Sequence, residues 1–300
     1  MTDILTKREM LIQNMSSEML NNIENGGSIV SKERFGFGKN WNNYIKTLNE
    51  EKIKEAEQSL TEWLGIDSLQ KMTFLDIGSG SGLFSLAARR LGAIVHSFDY
   101  DEDSVACTKT LRNKYYPQTD QWTIERGDIL DREYLNKYSK HDIVYSWGVL
   151  HHTGNMHKAL DNAGNLVADN GFLFIAIYND QGAISTFWTL VKKAYNRMVG
   201  PLKLLILIPY IFAWYILRAL EGIACIKSKE QRRTYKKKRG MSPLYDAIDW
   251  CGGYPFEVAK PEDILDFYKD RNFELLKMST CGGRKGCNQY LFKKKGFDKG

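Results

Sequence analysis

Residues 76–82 read Asp76-Ile77-Gly78-Ser79-Gly80-Ser81-Gly82 and follow an apolar run. Glycine lets a backbone turn sharply and approach a ligand closely. Placed between a strand and a helix, such a loop presents its amides at the carboxyl end of a sheet, where α/β proteins bind ligands. The spacing is G-x-G-x-G, one residue short of the dinucleotide fingerprint, and no G-K-[ST] follows. No Lys or Arg lies between 74 and 88, which suits a ligand without phosphates. Asp76 stands two residues before the first glycine. Asp99 closes the next apolar run, where a carboxylate can accept from two ribose hydroxyls. Asp128, in ERGDIL, closes the third. Three carboxylates at successive strand ends would surround a ligand rich in donors and positive charge. Asp101 and Asp103 read instead as the cap of the following helix.

A second group of residues could act on an acceptor. His151 and His152 stand together in SWGVLHHTGN. Histidine titrates near neutrality and could take a proton or touch the substrate. The competing reading is a structural hydrogen bond at a helix entry. Of the two, His151 is the expected base. No third ligand stands at useful spacing, so a metal site is not expected. Tyr178, Asn179 and Asp180 end the strongest strand and are expected to face the acceptor. Asp246, Asp249, Trp250, Tyr254 and Glu257, in YDAIDWCGGYPFE, read as a shaped loop against the substrate or as a structural cover.

The elements that must hold these groups alternate. From Glu50 to Leu64, apolar residues at three- and four-residue spacing predict a helix. Strand and helix signals then follow in turn: 72–77, 83–91, 93–98, 104–114, 122–125, 142–147, 155–167 and 171–178. FLFIAIY, within the last, is apolar throughout, as in a strand buried on both faces. After a long break the pattern resumes with a helix at 261–271 and strands at 273–279 and 289–293. This is an α/β fold built on a parallel sheet with crossover helices. GGRKG, within 280–288, is expected to turn the final hairpin. RFGFGKNW (34–41) could close over the ligand through Phe35, Phe37 and Trp41, or pack on the sheet.

With these residues in view, the sequence resembles the class I S-adenosylmethionine-dependent methyltransferases. The resemblance rests on LDIGSGSG (75–82), Asp99, RGDIL (126–130) and DIVYSWGVLHH (142–152), and spans about 50–179 and 261–293. It implies a Rossmann-like seven-stranded sheet with a helical insertion after the fifth strand. It implies a cofactor, S-adenosyl-L-methionine, held by Asp76, Gly78, Ser79, Gly80, Gly82, Asp99, Tyr100, Asp128, Ile129 and Trp147. Catalysis is expected at His151 and His152, and substrate contact at Tyr178, Asp246, Asp249, Trp250 and Glu257. The insertion is similar to that of the ubiquinone-biosynthesis O-methyltransferase type. This favours an oxygen acceptor on a small phenolic or lipid-like molecule, with a glycan hydroxyl as the other choice. RNA or protein methylation, a nucleotide oxidoreductase and a non-catalytic cofactor-binding protein are the rivals. No [ND]-P-P-[YF] motif is present.

Composition sets the partners. The chain of 300 residues is 43% hydrophobic and 26% charged, as in a globular protein. Three parts are expected: an N-terminal arm (1–49), a cofactor-binding domain (50–179 and 259–300), and an insertion (180–258). The net charge of +6 is concentrated in 227–239, which carries eight Lys/Arg against one Glu. That pattern argues against a nucleic-acid face. Residues 204–217 form a run without charge, too short for a membrane span. Together they suggest that 201–239 docks on a membrane surface, or else forms a buried hairpin with a solvated basic tail. Five cysteines without a C-x-x-C pair, and no apolar leader, suggest a reducing cytoplasmic setting, with attachment to the inner membrane face as the variant.

Overall fold

The computed structural model describes residues 29–31, 34–35, 38–224 and 243–296. The run 227–239, Phe37 and Cys225 lie outside them. A short hairpin, β1 (Ile29–Ser31) and β2 (Arg34–Phe35), precedes α1 (Gly38–Lys46) and α2 (Glu50–Leu64). Helix α2 has the predicted bounds. Its Ile53, Ala56, Leu60 and Leu64 are buried along one stripe. Asn49 caps it by accepting from the Lys52 N–H, and Gly65 ends it in the left-handed region at φ 69°.

The sheet elements then alternate: β3 (Thr73–Ile77), α3 (Leu83–Arg90), β4 (Ile94–Asp99), α4 (Glu102–Tyr115), β5 (Trp122–Arg126), α5 (Arg132–Leu135) and β6 (His141–Trp147). A 3₁₀ turn (Leu150–His152), α6 (Met156–Asn165) and β7 (Val167–Tyr178) follow. After helices α7 (Ala183–Arg197), α8 (Leu204–Ala224) and α9 (Pro243–Gly252), the chain returns through α10 (Pro261–Lys269) to β8 (Phe273–Ser279) and β9 (Cys287–Lys294). The seven-stranded order is β5-β4-β3-β6-β7-β9-β8. Strands β3 to β7 pair in parallel; β9 runs antiparallel to both β7 and β8. The order reverses between β3 and β6, which opens a crevice above their carboxyl ends.

Both faces of the sheet are covered, as parallel strands require. Leu75, Ile77, Val144, Leu173, Ile175 and Ile177 pack toward α6 and α10. Phe74, Val95, Ile143, Tyr145 and Phe174 pack toward α2, α3 and α4. The alternation along FLFIAIY therefore feeds two cores from one strand. Strand β7 begins four residues before the predicted start. Val167 pairs with His141, then the register shifts before Phe172 meets Ile143. Asn170, at φ 63°, makes that shift, which a run of polar turn-formers hides in the sequence.

A chain of buried polar groups ties three elements below the crevice. Trp122 Nε1 donates to Ser97 Oγ at 2.9 Å, and the Ser97 and Ser85 hydroxyls lie 2.8 Å apart. Trp122 is 1% exposed. Replacing it with Phe removes the donor and leaves a small void. Trp122→Phe is expected to lower stability by about 1–3 kcal/mol, read as the urea midpoint at constant slope.

Candidate active site

The glycine loop is held open by left-handed backbone. Gly78, Gly80 and Gly82 have φ of 76°, 53° and 77°. The N–H groups of Gly78 and Ser79 both donate to the Phe98 carbonyl, at 2.8 and 3.2 Å, folding the loop onto the end of β4. The Gly80 N–H donates to Asp99 Oδ2 at 2.9 Å, and the Asp101 N–H to Asp99 Oδ1 at 2.9 Å. Three neighbours leave no room for side chains. A Cβ on Gly78 would sit 2.4 Å from Val149; one on Gly80, 3.0 Å from the Trp41 indole; one on Gly82, 2.8 Å from Thr108. Trp41 thus stands over the loop. Asp101, the N-cap of α4, also accepts from the Gly38 N–H at 2.7 Å and pins the start of α1. Phe35 instead packs against Gly252 of the insertion.

The other expected cofactor residues divide. Asp99 lies at the crevice, and burial pushes its carboxyl up to about 6. Asp76 does not turn toward a ligand. It is 3% exposed and accepts from Ser85 Oγ at 2.5 Å, facing α3. Strand alternation sends it there, one residue out of phase with Leu75 and Ile77. Burial, with Asp99 adding, pushes it up to about 7. The Ser79 hydroxyl is committed to Thr108 at 3.0 Å. Tyr100 follows Asp99, and its ring lies 5.7 Å from the Arg126 guanidinium. Asp128 stands two residues past β5, with Oδ1 accepting from the Leu130 N–H at 2.9 Å. The Ile129 side chain belongs to the core, so only its backbone can reach a ligand. Trp147 is 47% exposed at the end of β6, and its Nε1 donates to Gln289 Oε1 at 3.2 Å.

The two histidines have opposite tautomers. His151 is fully buried, and its Nδ1 accepts the Tyr178 N–H at 3.3 Å. Its proton is therefore on Nε2, which is buried without a partner. His152 Nδ1 lies 2.6 Å from the Pro255 carbonyl, so it donates and the basic lone pair is on Nε2. The expectation that His151 is the base is corrected: its lone pair is occupied by the Tyr178 N–H. Burial, with the Lys192 charge adding, pushes His152 down to about 3, and pushes His151 well below the ordinary range. Both imidazoles are neutral at pH 7.

Tyr178 joins this pair, its ring 4.0 Å from that of His151 and 5.3 Å from that of Phe256. Trp250 closes on the Tyr178 ring at 5.7 Å. Glu257 is not at the rim in the expected way. Its two oxygens accept the N–H groups of Gly154 and Met156, each at 3.0 Å, and so cap α6 from 101 residues away in sequence. Asp180 accepts from the Gly182 N–H at 2.8 Å and shapes the entry to α7. Asp249 and Asp246 lie on α9, and the Asp249 charge acts on Lys192.

Sequence reading missed Lys192. It is fully buried on α7, donates to the Trp250 carbonyl, and lies 4.2 Å from the Trp250 ring and 4.8 Å from that of Phe256. Burial pushes it down to about 7, despite the opposing Asp249 charge. Lys285, from the β8–β9 turn, stands 3.3 Å from the same indole and donates to Tyr210 Oη at 2.9 Å. The one signal was spacing: Trp188, Lys192 and Tyr195 share a helix stripe. The site therefore joins a glycine loop with an acid at its floor to an aromatic rim with two lysines and two neutral imidazoles. S-adenosylmethionine carries a ribose diol, a sulfonium and no phosphate, and these residues fit it. Asp99 offers carboxylate oxygens, the loop offers amides, and no cation lies between 74 and 88.

Comparison with known proteins agrees. Residues 75–173 match the family described as a methyltransferase domain. The chain is 30% identical over 210 residues to a ubiquinone biosynthesis O-methyltransferase of Glaesserella parasuis, covering 69% of this chain and 74% of that protein. It is 32% identical over 114 residues to a ribosomal protein L11 methyltransferase of Anoxybacillus flavithermus, covering 33% and 36%. The solved structure of PKMT2 from Rickettsia typhi in complex with AdoHcy shares the fold, with a TM-score of 0.52 at 14% identity, over 80% of this chain and 52% of that one.

Asp99 gives the site a pH signature. Its raised carboxyl must lose its proton to accept from ribose hydroxyls, so binding releases a proton at low pH. S-adenosylmethionine affinity is expected to fall as pH drops below about 6, approaching tenfold per unit. Asp99→Asn is expected to weaken binding at pH 8 and flatten this dependence, measured by calorimetry from pH 5 to 8. An unchanged slope in the variant would remove Asp99 from the ligand. The loop, the acid and the identity across three-quarters of a curated relative place the chain among the class I S-adenosylmethionine-dependent methyltransferases, to which it belongs.

Proposed function

We propose that the methyl group goes to an oxygen of a small-molecule, lipid or glycan acceptor, with His152 as the group that takes the acceptor's proton. The observation that carries this reading is the 2.6 Å contact between His152 Nδ1 and the Pro255 carbonyl. It fixes the tautomer, with the proton on Nδ1 toward backbone and the lone pair on Nε2. The rings of His152 and Tyr178 lie 5.4 Å apart. The name of the G. parasuis relative, a ubiquinone biosynthesis O-methyltransferase, supports the same acceptor atom.

When bound, the cofactor supplies an electrophilic methyl group. The chain's own residues then have three tasks. The aromatic rim, Tyr178, Trp250 and Phe256, keeps water from the reacting oxygen and lines up the acceptor. His152 Nε2 receives the hydroxyl proton. A weakly basic imidazole suffices, because an oxygen that is gaining a methyl group becomes strongly acidic before its O–H bond breaks. The buried Nε2–H of His151 supplies a donor in the same region, where an acceptor oxygen could satisfy it.

The first experiment gives purified protein methyl-labelled S-adenosylmethionine and a host extract split into lipid, glycan, small polar, RNA and protein fractions. Label in any of the first three, with the product methylated at oxygen by mass spectrometry, is the expected result. Label confined to protein or RNA would overturn the acceptor class. On the acceptor so found, His152→Gln is expected to cut kcat by about 100-fold while cofactor affinity is kept. With saturating cofactor, His152 itself should contribute no kcat step near pH 6.5, because burial holds it at about 3; a step near pH 7 that persists in His152→Gln would report Lys192. A kcat within a few-fold of the parent would show a structural imidazole.

A further inference from the structure

Helices α7 and α8 turn one face inward and leave the other uncovered. On α7, Ser185, Lys192 and Tyr195 are buried, while Ile184, Phe187 and Leu190 are exposed, Phe187 by 59%. On α8, Leu207 is fully buried and Tyr210 and Ile211 pack on the same cluster. Leu205, Ile208, Phe212 and Ile216 recur at three and four residues on the opposite side, with Leu205 exposed by 67% and Phe212 by 66%. The two helices meet where the Trp188 and Tyr210 rings lie 5.5 Å apart, and both pack on α9. Nine of the thirteen exposed large apolar side chains among the described residues lie between 184 and 216. Single exposed apolar residues are ordinary, but their recurrence along the outward stripe of each of two neighbouring helices marks an interaction surface.

The charges select its occupant. From Gln181 to Leu220 the chain has no Asp or Glu, and of its basic residues only Lys192 turns inward among those whose side chains are described, leaving Lys193, Arg197 and the half-buried Lys203 on the outer side. Lys193 and Arg197 are exposed beyond the apolar stretch of α7. The sequence then continues into the basic run 227–239. Against a second copy, this face would oppose cations to cations. An anionic lipid surface would meet apolar side chains with acyl chains and lysines with headgroups. No helix of the described residues is long and apolar enough to cross a membrane. We infer that α7 and α8 lay their outward faces in the headgroup layer of an anionic bilayer, as a peripheral attachment. This inference stands independently of the oxygen-acceptor reading.

The test uses the full chain and extruded vesicles of phosphatidylcholine, with and without phosphatidylglycerol, in a sedimentation assay. The protein is expected to partition about tenfold more strongly onto the anionic vesicles, and to release in high salt. The triple variant Phe187→Ser, Leu205→Ser, Phe212→Ser is expected to lose about tenfold in partitioning while keeping its circular dichroism and cofactor affinity. These side chains are exposed, so the core is untouched. The single variant Phe212→Ser, with a partial loss, serves if the triple fails to fold. Three results would overturn the inference. One is no binding to anionic vesicles. Another is undiminished binding by the apolar variants, which would leave the basic run as the whole attachment. The last is a lipid-free dimer in light scattering that those variants dissolve, which would make a second copy the occupant.

Discussion

The bond between the Gly80 amide and the Asp99 carboxylate, 2.9 Å long, joins the two strands on which the site is built. Parallel pairing of β3 with β4 sets Ile77 against Phe98, so the chain leaves both strands at one level. The loop then has to double back, and its amides find the Phe98 carbonyl. Only left-handed backbone closes that path, and three glycines supply it. Around the closed loop three other elements come into contact range: Val149 after β6, Thr108 of α4 and Trp41 of α1. A shift in the loop would therefore move the cofactor floor, the histidine turn and the N-terminal helix together. Burial adds a constraint of its own. Burial raises the Asp99 carboxyl to about 6, and the backbone donors at Gly80 and Asp101 hold it from going further, so it stays ionised at neutral pH and loses its charge only in mild acid.

How much of this was legible depended on whether the signal was local. Helix α2 was read to its last residue because its stripe, its Asn49 cap and its Gly65 stop all lie within the segment. The sheet was read because strands covered on both sides have uninterrupted apolar runs. The acids were harder. Asp76 and Asp99 look alike in sequence, each at or next to the end of an apolar strand run. Period-two alternation separates them: Asp76 falls on the face of Phe74 and points to Ser85, whereas Asp99 lies past the last buried pair. Glu257 had no local signal at all. Its meaning comes from two amides at 154 and 156, brought near only by the fold.

The histidine pair shows why residue type alone does not assign a role. Two adjacent imidazoles on one turn point in different directions, and each finds a different backbone group. An N–H from Tyr178 takes the lone pair of His151; a carbonyl from Pro255 takes the proton of His152. The chemistry of each ring is thus decided by what its far nitrogen meets. Lys192 extends the point. A lysine in a helix reads as solvated, yet this one is buried against Trp250 and Phe256, and its charge helps keep both imidazoles neutral.

Lys192 also shows why the insertion has the composition it does. Helix α7 must present polar and aromatic groups to the rim on one side, so Ser185, Lys192 and Tyr195 recur along that stripe. Helix α8 packs on α9 through Leu207, and its Tyr210 reaches Trp188 and Lys285. Neither helix can bury its remaining apolar residues against the sheet, because the faces there are already filled by α6, α10 and the helices opposite. An uninterrupted apolar run such as 204–217 would then be a liability on an enzyme surrounded by water on that side. The absence of acids across 181–220 rules out the usual remedy, in which alternating charges break up such a patch. The segment keeps its apolar and basic residues together and in helical phase. That combination suits a boundary where apolar side chains meet acyl chains and basic ones meet phosphate, which is the setting inferred above for these two helices.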